Sequence, residues 1–213
     1  MNKRTTIREA LPACIPLNAV EMIATWFDNH HVILRITRNR STKLGDFRGG
    51  AHGSPSYISV NHNLNKYSFL ITLLHEIAHA EVHLSYSRRM APHGKAWKSA
   101  FQRVTIPFID AEIFPEPLKQ VFIQYLNNPK ASSTTYLPLV SALRAFDNNS
   151  DEVTVSLLQP GDMFTLRDRR TFKVIEKLRK RYRCYCIENK KTYLFSPVAV
   201  IQPLSAQKTG TAD

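Results

Sequence analysis

The sequence predicts an α+β fold in two parts. A first domain sets a small sheet beside helices, one of them central, and a small all-β, barrel-like domain follows it. Three observations carry this. From residue 17 to residue 127 apolar residues recur mostly at helical spacing, with only short strand-like runs between. The stretch 127–135, NNPKASSTT, is polar and turn-rich. Beyond residue 151, short apolar runs follow one another at strand length with turns between them. The expected boundaries are 1–130 for the first domain, 131–150 for a linker holding a short helix, 151–205 for the β domain and 206–213 for a disordered tail.

Taken in order, Leu17, Val20, Ile23, Ala24 and Phe27 share one helical face, so 17–29 reads as an amphipathic helix. The β-branched run 31–37 reads as a strand, and 57–61 alternates apolar and polar as a half-buried strand does. A third strand is expected near 45–48, within a glycine-rich stretch. From 66 to 85, Phe69, Leu70, Leu73, Leu74, Ile77, Ala78 and Val82 make an apolar face so wide that the helix must be buried on most sides. A shorter helix is expected over 94–104, stopped before Pro107, and another over 117–127. A short helix over 139–146 completes the linker. Strands are then expected at 153–158, 163–166, 171–175, 183–187, 192–195 and 198–201.

The 213 residues carry 29 Lys and Arg against 17 Asp and Glu, a net charge of +12 that favours polyanionic partners, nucleic acid before an anionic membrane surface. No apolar run of about 18 residues exists and no apolar segment follows the basic N-terminus, so neither a membrane span nor a secretory signal is expected. Three cysteines are too few for a disulfide scaffold, which fits a reducing, cytoplasmic setting.

The central helix contains His75-Glu76-Ile77-Ala78-His79, an H-E-x-x-H. Four residues advance a helix by about 400°, so both imidazoles leave one face a turn apart, where a single Zn²⁺ can take both. Glu76 is angled off that pair and reaches toward a water beside the ion, the arrangement metal-assisted hydrolysis needs. A catalytic zinc wants a third protein ligand and one open position. His83 lies about 12 Å along the helix axis from His75, too far for one ion to reach all three. A histidine six residues after His79 is absent, since position 85 is Ser. His93 is the better choice: the break at 87–92 can turn the chain back, and His93 opens the next helix. His52 and His62, in upstream turns, are the runners-up.

His75-Glu76-Ile77-Ala78-His79 followed by His93-Gly94-Lys95-Ala96-Trp97 resembles the SprT-like zinc metallopeptidases, marked by H-E-x-x-H and then His-Gly-x-x-Trp. The segments 40–45, RSTKLG, and 57–61, YISVN, sit where family members carry a sheet leading into the catalytic helix, and the resemblance spans about residues 15–125. It implies a zincin-like metallopeptidase domain with Zn²⁺ on His75, His79 and His93 and with Glu76 as the catalytic acid and base. By analogy with the related Spartan proteases it also implies protein substrates crosslinked to DNA. One departure stands out. Many members carry a C-terminal zinc ribbon with paired cysteines, whereas this chain has only Cys184-Tyr185-Cys186 there, read as ordinary thiols in a strand.

The β segment replaces that ribbon with charge. Between Asp162 and Lys191 eleven basic residues face four acidic ones. Arg167, Arg169, Arg170, Lys177, Arg179, Lys180, Arg181 and Arg183 are the candidate nucleic-acid contacts, with 177–183 at a hairpin tip. Phe172, Tyr182, Tyr185 and Tyr193 are interleaved as candidate stacking platforms, the competing reading being core aromatics on a solvated hairpin. The expected function is a zinc metalloprotease with a protein substrate, DNA as a second partner and no membrane. The alternative is a nucleic-acid-binding protein whose zinc is structural and which cleaves nothing.

Overall fold

The computed structural model describes residues 6–40, 42–50, 54–86, 90–147, 152–166 and 168–204. The chain is α+β and divides into two units, residues 1–148 and 149–213. The first holds helices α1 (Ile7–Ala10), α2 (Val20–Asp28), α3 (Lys66–Ser85), α4 (Lys95–Asp110), α5 (Leu118–Leu126) and α6 (Leu137–Arg144), and strands β1 (Val32–Thr37), β2 (Gly45–Arg48) and β3 (Ser56–Asn61). The second holds strands β4 (Met163–Thr165), β5 (Thr171–Lys177), β6 (Tyr182–Cys186), β7 (Thr192–Phe195) and β8 (Gln202–Leu204). Among the described residues no helix is long and apolar enough to cross a membrane.

The core of the first unit is built around α3. Asn65 starts this helix by accepting a hydrogen bond from the Ser68 backbone N–H at 2.9 Å. Its wide apolar face then buries Phe69, Leu70, Leu73, Leu74, Ile77 and Ala78 between the sheet and α4. At about 1.5–3 kcal/mol for each large apolar side chain buried, this helix contributes a large share of the first unit's stabilisation. The sheet order is β1-β3-β2, with β3 parallel to β1 and antiparallel to β2, so β2 is an edge strand. Asn61, buried at the end of β3, ties the loop before β2 to the sheet. Its amide donates to the Arg40 and Lys43 carbonyls, and its Oδ1 accepts from Arg40 Nε at 2.8 Å.

Several expectations need correction. Leu17 is 70% exposed, because it lies in a 3₁₀ turn, Leu17–Ala19, out of phase with the buried face of α2. Helix α4 does not stop before Pro107 but runs through it to Asp110. Pro107 and Arg103 are exposed, so the carbonyl deprived of its donor lies on the solvent side, while the burial of Phe108 favours continuing the turn. The segment expected as a linker belongs to the first unit. Its helix α6 buries Leu139 and Leu143 in the main core, and Asn65 donates to the Leu143 carbonyl at 2.9 Å. The expected tail, 206–213, lies outside the described residues.

The second unit is an antiparallel sheet in the order β7-β6-β5-β4-β8 around its own core. The Phe164 ring on β4 and the Phe195 ring on β7 stand 5.2 Å apart, although three strand spacings of about 4.8 Å would separate them in a flat sheet. The sheet is therefore rolled. Among the described residues β7 and β8 remain its edges, so the roll is open rather than a closed barrel. Two expected strands are missing. Residues 155–157 form a 3₁₀ turn, and residues 198–201 contribute a single bridge, Val200 to Thr154, before β8 begins. Val155 and Leu158 are buried three residues apart while Ser156 and Leu157 face water, a period of three that an apolar run conceals.

Candidate metal centre

Helix α3 presents His75 and His79 from one face, as the four-residue spacing requires. The third imidazole arrives from the chain just before α4. His93 has φ of +56°, a left-handed conformation that costs a non-glycine residue energy and turns the chain back over α3. Gly94 then opens α4 at its N-cap. His93 Nε2 stands 3.1 Å from His75 Nε2 and 3.0 Å from His79 Nε2. Two nitrogens on a tetrahedral zinc at about 2.0–2.1 Å lie about 3.3 Å from each other, so this donor set fits such an ion. Among the described residues it is the group of three or more His, Cys, Asp or Glu side chains that can hold a metal ion.

Trp97 forms the floor beneath the imidazoles. Its ring lies 4.6, 5.4 and 4.7 Å from those of His75, His79 and His93, and Phe101 stacks parallel behind it at 5.1 Å. The His-Gly-x-x-Trp spacing thus delivers one donor and the surface that orients all three. Burial, with the neighbouring imidazoles as a second cause, pushes His75 down to about 3 and His79 to about 4. Burial also lowers His93. All three are neutral at ordinary pH, with lone pairs free for a cation.

Glu76 is only 7% exposed and leans toward the edge strand β2. Burial, helped by the negative charge of Asp46, pushes its carboxyl up to about 8, opposed by a hydrogen bond from the Phe47 backbone and by Arg40 and Lys43. Gly45 permits this approach. A Cβ there would stand 2.6 Å from Glu76 Oε1 and 2.8 Å from Thr72 Cγ2. A cleft of about 490 Å³ opens over the site. It is walled by residues 42–47 on one side and 131–133 on the other, with Thr72, the three histidines and Glu76 along its base.

Other candidates lie elsewhere. His83 is exposed, its ring 5.5 Å from that of Phe47. His62 is exposed, with Nδ1 3.1 Å from the Thr37 carbonyl. His52 falls outside the described residues. Sequence reasoning passed over Gly45, one glycine among several turn signals, and the wall at 131–133, whose composition carried no signal.

In the second unit Arg169, Lys177, Arg179, Lys180 and Arg181 are exposed, the last three in the β5–β6 turn closed by the Leu178 N–H donating to Arg181 O at 2.7 Å. Arg170 is paired with Asp168 and Arg183 with Glu176, while Arg167 lies outside the described residues. The stacking expectation is corrected for Phe172 and Tyr182, which are core residues, and Tyr193 packs its ring on Phe172. Tyr185 alternates with buried Cys184 and Cys186 and therefore points outward, level with Lys173 on β5. Cys184 and Cys186 are core thiols, burial raising Cys184 to about 11.

No curated protein and no solved structure matches the chain. Residues 19–114, the segment that supplies the sheet, α3 and all three imidazoles, match the model of the SprT-like family.

Proposed function

We propose that the first unit is a zinc-dependent peptidase. The observation that carries this reading is the grouping of three neutral imidazoles with a buried glutamate on the floor of an open cleft. A structural zinc is closed by four protein ligands, whereas three donors facing a cleft leave a position for substrate. His75, His79 and His93 would hold the ion, which when bound supplies a Lewis acid that acidifies water and polarises a carbonyl. Glu76 takes the proton of the attacking water on its carboxylate and passes it to the departing amide nitrogen. The buried setting keeps that carboxylate basic enough for the first transfer and acidic enough for the second.

The cleft supports a peptide substrate. Strand β2 is an edge whose residues Gly45–Phe47 face the cleft, and an edge strand pairs with an extended chain through backbone hydrogen bonds. Gly45→Ala tests how closely this strand sets the glutamate. The added methyl collides with Glu76 Oε1, so hydrolysis should fall by roughly tenfold or more while bound zinc, measured by atomic emission, is unchanged. Unaltered hydrolysis contradicts the assigned approach.

The exposed cations of the second unit, with Tyr185 beside Lys173, support nucleic acid as a partner and DNA-bound or DNA-crosslinked proteins as the substrate class. The deciding experiment is cleavage of a DNA-binding protein with and without DNA. Native chain should cut, a chelator should stop it, and added zinc should restore it. Charge reversal of Arg179, Lys180 and Arg181 to Glu should abolish stimulation by DNA and flatten the salt dependence of DNA binding by about two to three units of slope. Binding without any cleavage favours the alternative, a nucleic-acid-binding protein with a structural zinc.

A further inference from the structure

A second, smaller cavity lies beside the catalytic cleft. It has a volume of about 80 Å³, and Leu44, Thr72 and Ser133 line both spaces, so the two are neighbours. Most of its exposed lining is apolar, from Leu44, Ile71, Val140 and Leu143, and six polar or charged residues, Arg144 and Asp147 among them, complete it. Thr72, in the lining common to both spaces, precedes Glu76 by four residues, about 6 Å along the helix axis, so the cavity lies about one helical turn from the glutamate. Residues of an extended chain advance about 3.3 Å each, so a chain lying along β2 brings a side chain beside the cleaved bond to this cavity. The position of α6, which supplies Val140 and Leu143, is held by Asn65, whose amide donates to the Leu143 carbonyl at 2.9 Å.

We infer that this cavity is a specificity subsite that selects a short aliphatic side chain at one position adjacent to the scissile bond. The inference rests on the peptidase reading and names its substrate preference. A space of about 80 Å³ is roughly half the ~150 Å³ of an apolar cavity that admits benzene, so it suits a valine- or leucine-sized group better than an aromatic ring. Mostly apolar walls reward aliphatic carbon and penalise charge. Matching an aliphatic side chain in such a pocket discriminates by roughly 10–200-fold for each methylene misplaced.

The test is a digest of a peptide library by the zinc-loaded chain, with cleaved bonds mapped by mass spectrometry. Native chain should show one position enriched in Val, Leu and Ile and depleted in Phe, Tyr, Trp and charged residues. Val140 lies outside the reacting groups and is only partly buried, so it can be changed in both directions. Val140→Trp fills the cavity and should shift that position to Gly and Ala, with kcat/KM for aliphatic substrates down roughly tenfold or more. Val140→Ala enlarges it and should admit Met and Phe, which keeps the test decisive should the Trp variant fold poorly. Cleavage with the same preference in native chain and both variants overturns the subsite alone. No cleavage by native chain overturns the peptidase reading and the subsite with it.

Discussion

Glu76→Gln is expected to lose hydrolysis by about 10³-fold or more while keeping its zinc. The amide is isosteric and its oxygen can still accept the Phe47 hydrogen bond, so the site keeps its shape. What it loses is basicity, because an amide oxygen accepts a hydrogen bond but does not take up a proton at ordinary pH. Zinc content stays because the three donors are imidazole nitrogens and Glu76 is not among them. Peptidase rate and metal stoichiometry, measured on the same sample, check this; a rate within about tenfold of the native chain sinks the assigned role. The variant has a second signature in the metal-free protein. Burial and Asp46 raise the Glu76 carboxyl from 4.5 to about 8. The folded state thus favours the neutral acid, and the stability this gives is complete below pH 4.5 and lost as pH rises through about 8. Gln has no such proton to release. Chelated Glu76→Gln should therefore gain stability on the native chain across that window, by on the order of 2–4 kcal/mol at its top.

The elements that define the site were legible where local chemistry decides them. Helix α3 is apolar on most sides, so its bounds of about 66 and 85 followed from the spacing of its apolar residues. The pairing of His-Glu-x-x-His with His-Gly-x-x-Trp pointed to His93, and the structure brings its imidazole to the other two. What the sequence could not display was the environment of Glu76. That depends on β2, thirty residues earlier, pressed against the helix at a glycine, and on Asn61 holding the loop that precedes it.

The misreadings share a physical origin. Residues 131–133 resemble a linker because polar, turn-forming residues suit the wall of a wet cleft as well as they suit a linker. Val155 and Leu158 lie in an apolar run whose burial has a period of three, which sequence alone does not separate from the period of two in a strand. Pro107 signals a stop only where its neighbours gain nothing by continuing, and Phe108 gains burial. Phe172 and Tyr182 carry charged neighbours in sequence, yet alternation sends them inward and the cations outward.

Zinc should stay bound well into acid, contrary to what three ordinary histidines would allow. An imidazole must be neutral to bind a metal, so each ligand with an ordinary pKa near 6.5 costs up to tenfold in affinity for every pH unit below that value. Two such ligands would lose about 10³-fold between neutrality and pH 5. In this chain burial holds His75 near 3 and His79 near 4, so the helix pair remains neutral and protons do not compete until pH approaches 4. The expected affinity of the native chain at about pH 5 is therefore within about 30-fold of that at pH 7, any remaining loss falling on His93. The same burial has an opposite effect on the empty fold. Unfolding lets these imidazoles protonate at 6.5, so the metal-free protein binds fewer protons folded than unfolded below that pH, and its stability falls as pH drops from 6.5 toward 4. Competition with a chromophoric chelator and thermal melts of zinc-loaded and zinc-free protein, run side by side over this window, read both effects. A zinc affinity that collapses by three decades at about pH 5 contradicts the buried, neutral pair on α3 and the cleft geometry derived from it.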